Sequence, residues 1–201
     1  MTNFTANFDD SVKRALEKWP NVPNCFGWLK LDRRGNWLIQ NELIRHGRAI
    51  EFIARNYAED AHGRWYVQNG PQRVFCELEY TPLVFRLTND RSLVTHTGRQ
   101  CQKLEQILLD ELGNVLLHTD LGLGLMDDRD LLAFTNQVET SLGDEWLDFE
   151  HLEKLTAAGK APPVRLGAEN ARLGTVLSTL LPTAFGFQQR PEDNCTETKP
   201  A

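Results

Sequence analysis

The sequence predicts an α+β fold whose antiparallel sheets are built from two hairpin-plus-helix units. Three observations carry that expectation. Residues 31–39 and 109–117 both spell Leu-Asp-x-x-Gly-Asn followed by apolar-Leu-apolar. Each copy leads through a loop into a stretch with helical spacing. Between them, residues 65–97 hold short runs that alternate at the two-residue period of half-buried strands. Two copies of one motif point to internal duplication. Convergence on Gly-Asn turns, which few residue types can form, is the alternative.

Residues 1–24 form an N-terminal helix and link. Asp9 or Asp10 caps a helix over 9–18, with Val12, Ala15 and Leu16 on one stripe, and Trp19-Pro20 ends it. Residues 25–100 form the first unit with added strands. Trp28–Leu31 and Trp37–Ile39 pair around Arg33-Arg34-Gly35-Asn36. From 46 to 57 the period becomes helical, with Ile50, Ile53, Ala54 and Tyr57 on one face. Strands follow at 65–68, 73–80, 83–87 and 93–97. In the second of these Val74, Cys76, Leu78 and Tyr80 share a face.

Residues 101–187 form the second unit and a C-terminal helix. Its hairpin is Ile107–Asp110 with Val115–His118, and Gly122–Leu125 reads as an irregular strand or bulge. Asp127 and Asp128 begin a helix that runs to Glu139. Residues 144–157 are helical in part. Leu173 to Leu181 reads as a helix stopped by Pro182. Residues 188–201 are polar and expected to be a disordered tail.

At 201 residues the chain can bury roughly 70% of its unfolded surface, enough for a core without staples. A net charge of −6 argues against a general nucleic-acid binder, which needs a basic surface. The first ten residues lack the basic start and apolar run of a signal peptide. No apolar run approaches a membrane span. The expected compartment is the cytoplasm. Cys25, Cys76, Cys101 and Cys195 have no CxxC spacing, so neither a structural zinc site nor a disulfide framework is expected. No cofactor and no metal is implied.

Several constellations could carry chemistry. The turn Asn69-Gly70-Pro71-Gln72-Arg73 follows Trp65 and Tyr66, and aromatics beside an arginine can grip an anion or a peptide. A packed hairpin is the simpler account of the same residues. Arg33 and Arg34, with Arg45, Arg48 and Arg55, add positive charge to the first unit, as an acidic partner would require or as a solvated helix face would show. His96 lies between two threonines and could act as a base or ligand, or simply end a strand. With His118, Asp120 and Glu79 it could assemble a metal site from separate strands. Gly122-Leu123-Gly124 lacks the Lys-Ser/Thr ending of a phosphate loop. Asp127, Asp128 and Asp130 lack calcium-loop spacing and suit helix capping.

One resemblance rests on specific residues. These are the run Gly27–Trp37 with its following helix, the segment Asp60–Arg73, and Glu77-Leu78-Glu79-Tyr80-Thr81-Pro82. Together they resemble uncharacterised proteobacterial domain-of-unknown-function families. One such family has a hairpin with an Asp-Gly-x-Trp turn, a helix, and a second hairpin ending in an acidic-apolar segment before proline. The resemblance spans residues 25–135, with a looser echo at 164–187. It implies an α+β fold with repeated motifs and a signalling or binding role without assigned catalysis. The chain departs from the pattern where Asn36 separates the turn glycine from Trp37, and again over 141–163.

The reading that follows is a cytoplasmic binding or regulatory module for a protein partner or small anionic ligand. Its expected surface is Arg34, Trp65, Tyr66, Gln72 and Arg73. A hydrolase-like enzyme, with or without metal, using His96, His118, Asp120 and Glu79 is the alternative. It requires the two histidines to meet. A third reading is a structural interaction protein, its two units forming a pseudo-symmetric pair or a homodimer that extends a sheet edge.

Overall fold

The computed structural model describes residues 8–90, 92–161, 163–167 and 169–192. The remaining positions, including Cys195 and most of the expected tail, lie outside the described residues. Helix α1 (Asp10–Lys18) precedes a meander of β1 (Cys25–Leu31), β2 (Trp37–Ile39) and β3 (Glu42–Leu43). Helix α2 (Gly47–Arg55) crosses to a second meander, β4 (Tyr57–Glu59), β5 (Trp65–Asn69) and β6 (Gln72–Leu78). Two added strands follow, β7 (Leu83–Leu87) and β8 (Leu93–Thr95). The same series then recurs: β9 (Leu104–Leu109), β10 (Val115–Thr119), β11 (Gly122–Met126), α3 (Leu131–Thr135) and β12 (Val138–Glu139). A 3₁₀ turn (Gly143–Leu147) and α4 (Phe149–Ala157) intervene before β13 (Pro163–Leu166) and β14 (Glu169–Thr175). A second 3₁₀ turn (Ser178–Leu180) leads into α5 (Leu181–Phe185).

The strands form two sheets, ordered β3-β2-β1-β6-β5-β4 and β12-β13-β14-β9-β10-β11-β7-β8. Apart from β7 and β8, the second order reproduces the first. The helix between the meanders explains this connectivity. It lets the last strand of each unit return beside the first, which only a crossover connection permits for parallel neighbours. The sheets are therefore mixed rather than purely antiparallel, with parallel joins at β1/β6, β9/β14 and β7/β11. Register is shared too. Leu29 faces Ile39 and Cys76 in the first unit, where Ile107 faces Leu117 and Leu173 in the second.

The Leu-Asp-x-x-Gly-Asn turns fold alike because the aspartate replaces water for the turn amides. Asp32 Oδ1 accepts from the amides of Arg34 (2.9 Å) and Asn36 (2.8 Å), and Oδ2 accepts from Asn36 Nδ2 (2.8 Å). Asp110 repeats this with Leu112, Asn114 and Asn114 Nδ2 at 2.9, 2.8 and 2.7 Å. Asp60 does the same for His62 and Arg64, with the Arg64 guanidinium in place of the amide.

One large core joins both sheets, from Leu29, Leu31 and Trp37 through Leu83 and Phe85 to Ile107, Leu116 and Phe134. A smaller cluster of Ala58, Tyr66 and Phe75, with Phe8 and Phe26 against it, forms on the other face of the first sheet. There the Phe26 and Phe75 rings stack at 4.6 Å.

Four sequence expectations change. The helix expected from Asp127 to Glu139 is only Leu131–Thr135, and Val138–Glu139 form β12. Residues 173–181 are not one helix: they finish β14 and pass into a 3₁₀ turn, and Pro182 sits in the first turn of α5, where its lost amide costs nothing. Residues 122–126 form a regular strand paired on both sides. Residues 188 and 189 are not loose tail but a strap: Gln188 N donates to Gly63 O (2.8 Å), and Gln189 O accepts from Leu78 N (2.8 Å).

Candidate functional site

An apolar cleft lies on the first sheet, between the sheet and α2, with a volume of about 570 Å³. Helix α2 forms because a 3.6-residue stripe of Ala49, Phe52 and Ile53 follows His46, whose side chain caps the Ala49 amide. That stripe makes one wall. Leu29 and Ile39 from β1 and β2, and Val67 and Val74 from β5 and β6, make the floor. Asn69 and Gln72, at the end of the β5–β6 hairpin, supply amides at one end.

Trp28 completes the rim by way of a bulge. The β1/β6 register shifts between Cys25 and Leu29, and Gly27 there has φ +72°, a left-handed value that glycine adopts without Cβ strain. The bulge breaks the strict alternation of the strand and leaves Trp28 53% exposed. Ile39 is 45% exposed. Exposed apolar side chains that share a groove are more informative than scattered ones, because contiguous patches on a folded surface mark recognition sites.

The structure divides the five residues expected at the binding surface. Trp65 and Tyr66 are buried, not exposed, because strand alternation sends them to opposite faces of a covered sheet. Trp65 packs on Tyr57 at 4.8 Å in the main core. Tyr66 packs on Phe75 and lies under the Arg73 guanidinium at 4.7 Å. Burial raises the pKa of the Tyr66 hydroxyl above its ordinary value. Gln72 lines the groove and also donates to Pro23 O at 3.0 Å. Arg34 lies apart, at the seam between the sheets, paired with Asp128 at 2.7 Å.

That seam holds a second cavity of about 380 Å³, in whose lining Arg34 and Asp128 pair with each other. Arg33 donates to Asn114 Oδ1 (2.7 Å) and covers the Tyr80 ring, so the first Gly-Asn turn touches the second. Arg129 pairs with Asp127, and Arg86 with Asp130 and Asp127. Guanidiniums paired with a carboxylate at this range, Arg34 among them, have little to offer an anionic ligand, whereas Arg33 is held by a neutral amide and an aromatic ring. The two turns sit in unlike surroundings: a Cβ on Gly35 would strike His96, whereas one on Gly113 would meet nothing.

The residues of the hydrolase alternative do not converge. His96 is enclosed by Trp37 and Tyr57, at 5.1 and 5.6 Å between ring centres. His118 instead packs on Phe185 and lies 3.6 Å from Glu105. Asp120 accepts from the Gln102 and Lys103 amides, and Glu79 faces Lys30. Among the described residues, no three of His, Cys, Asp and Glu are grouped to hold a metal ion.

His96 has a structural role with a pH signature. Its Nδ1 accepts from the Val84 amide at 3.2 Å, so the proton of the neutral ring sits on the buried Nε2. Burial pushes its pKa from 6.5 down to about 3, against the opposing pull of Asp32. The unfolded chain therefore binds a proton that the folded chain refuses between those two values. This contribution is complete above pH 6.5 and is lost as the pH falls below it. Between pH 7 and pH 5 it should remove about 2 kcal/mol. Urea unfolding at both pH values should show that loss in the wild type and a smaller one in His96→Gln. Equal losses would refute the assignment.

Comparison with known proteins gives little beyond a family. The family model described as "Protein of unknown function (DUF2946)" matches residues 8–192. No curated protein matches the chain. Among solved structures, the chain is similar to a DUF1285 family protein from Silicibacter pomeroyi DSS-3, with a TM-score of 0.46 and 14% identity over 60% of this chain and 75% of that one. It is also similar to a DUF1285 family protein from Shewanella baltica OS155, with a TM-score of 0.41 and 18% identity over 58% of this chain and 94% of the other.

Proposed function

Starting from the chain's membership in the DUF2946 family of proteins of unknown function, we propose that it is a cytoplasmic, non-enzymatic protein-recognition module. Its first-sheet groove receives an apolar segment of a partner protein. The observation that carries this reading is the pair Trp28 and Ile39, both about half exposed on the rim of the apolar cleft. The groove offers apolar surface, two amides, an indole and the Cys25 thiol, which suits binding better than bond breaking. A tryptophan on the rim of such a groove fits the large apolar anchors that dominate protein interfaces. The cytoplasmic assignment rests on composition and on unpaired Cys25, Cys76 and Cys101, as expected of a reducing compartment.

A photo-crosslinking residue at position 39, expressed in the source cells, tests this. It should trap a discrete protein, and Trp28→Ala should cut the yield about tenfold. A crosslinker at exposed Leu112, on the second Gly-Asn turn, should not trap it. Loss of the distinction between the two positions would overturn the reading.

A further inference from the structure

In the second half of the molecule the counterpart of this groove is covered. The residues that make the groove have register partners in the second sheet: Leu29 corresponds to Ile107, Ile39 to Leu117, Val67 to Val164 and Val74 to Ala171. There Leu117 and Ala171 are buried where Ile39 is 45% exposed and Val74 is half-buried, while Leu29 and Val67 are as buried as their counterparts Ile107 and Val164. The difference lies in one connection. Between β4 and β5 the chain turns tightly over residues 60–64. Between β12 and β13 it runs through residues 140–162, which contain the 3₁₀ turn and α4. Helix α4 packs on β14, the counterpart of β6. Its segment brings in Trp146, Phe149 and Leu152 at a spacing of three, and Trp146 and Leu152 are buried.

The outward side of that segment is acidic. Glu145, Asp148, Glu150 and Glu153 are all exposed on it. Beside the first-sheet groove stand two exposed arginines, with Glu42 and Glu51 exposed on the same stretch. Arg48 lies one turn before Phe52 on α2, Arg45 lies just outside the cap of that helix, and both are exposed. The first half thus has the floor and the α2 wall, but among the described residues no counterpart of α4 lies in its β4–β5 connection.

We propose that the first-sheet groove binds an acidic amphipathic helix of a partner protein, seated as α4 is seated on the second sheet. This rests on the recognition reading above and specifies the partner's chemistry. Aromatic and leucine side chains three or four residues apart enter between Trp28, Ile39 and Phe52. Carboxylates of the same helix face Arg45 and Arg48, where they gain on-rate and orientation more than affinity.

The probe is a labelled peptide of residues 142–158, titrated onto the full-length chain by fluorescence anisotropy. It should bind, and Trp28→Ala should weaken it about tenfold or more. The double variant Arg45→Glu/Arg48→Glu should weaken it about fivefold at low salt, and a peptide with Glu145, Asp148, Glu150 and Glu153 changed to lysine should bind that variant better than the wild type. A peptide with Trp146, Phe149 and Leu152 changed to serine should not bind. No binding up to about 1 mM would overturn the proposal. So would binding unchanged by Trp28→Ala, which would place the peptide on the second sheet, and so would equal affinity for the lysine peptide. Concentration-dependent dimerisation abolished by Trp28→Ala would instead identify a second copy as the occupant and overturn it. If position 39 still traps a protein while the peptide fails, the recognition reading stands and the helical occupant falls. If both fail, both fall.

Discussion

Alanine at position 110 should destabilise the protein by about 3–5 kcal/mol, the range seen when one member of a buried charged network is removed. Asp110 is fully buried. Its two oxygens accept from the amides of Leu112 and Asn114, from Asn114 Nδ2 and from the Tyr80 hydroxyl. Truncation strands all four donors, three of which hold the turn and one of which holds β9 and β10 to the segment after β6. Burial, reinforced by the neighbouring carboxylate, drives the Tyr80 hydroxyl pKa far above its ordinary value, so this group remains a donor at any working pH. Asp32 makes the same three turn bonds but is half-buried and lacks a tyrosine. Asp32→Ala should therefore cost about 1–2 kcal/mol, since its stranded amides can recruit water. Urea midpoints of the two variants decide the point. Equal losses would show that burial and the Tyr80 bond contribute nothing.

Gly63→Ala should cost about 2–4 kcal/mol, from positive-φ strain together with overpacking. Gly63 has φ +73°, and an added Cβ would lie 1.9 Å from Gly186 O and 2.9 Å from Gly186 C. Both are backbone atoms, so no side chain can swing aside. The segment that must shift is the strap that follows α5 and bonds Gly63 O and Leu78 N. Gly98→Ala is the control. Its φ is +79°, yet nothing lies within 4 Å of the added carbon, so only the conformational cost of about 1 kcal/mol should remain. Hydrogen exchange separates the two effects: the Leu78 and Gln188 amides should lose protection in the first variant and keep it in the second. Matched stabilities would remove the steric argument.

What could be read from the sequence was local. The two Leu-Asp-x-x-Gly-Asn hairpins, α1, α2 and the strands from 65 to 87 follow from turn chemistry and periodicity, and all are present. The parallel joins were out of reach, because nothing local records that β6 returns beside β1. The 173–181 segment departs from the helix its spacing predicts for a physical reason. Leu173, Leu177, Leu180 and Leu181 fall at helical spacing, while the strand signal, Val164 against Ala171 and Leu166 against Glu169, is carried partly by Ala, Asn and Glu, which favour strands weakly. Pro182 also reads equally well as a stop or as a first-turn residue.

The site was only partly legible. Trp65 and Tyr66 drew notice as aromatics beside a turn, but their neighbours on the sheet bury them. Gln72 does reach the groove. Trp28 went unremarked because its exposure depends on the Gly27 bulge, which sequence alternation cannot show. The signal that could have found the groove was the difference between the two β-to-β connections, 60–64 and 140–162. It becomes meaningful only once both sheets are known to share a register.

The strap also dictates an order of events during synthesis. Leu78 closes its backbone bond with Gln189, so the first sheet cannot finish maturing when its own six strands have emerged. It must wait for more than a hundred further residues to clear the ribosome. During that wait the Gly63 carbonyl and the Leu78 amide lack their strap partners, and that interval is when a nascent chain of this kind is most exposed to chaperones and to mispairing with its neighbours.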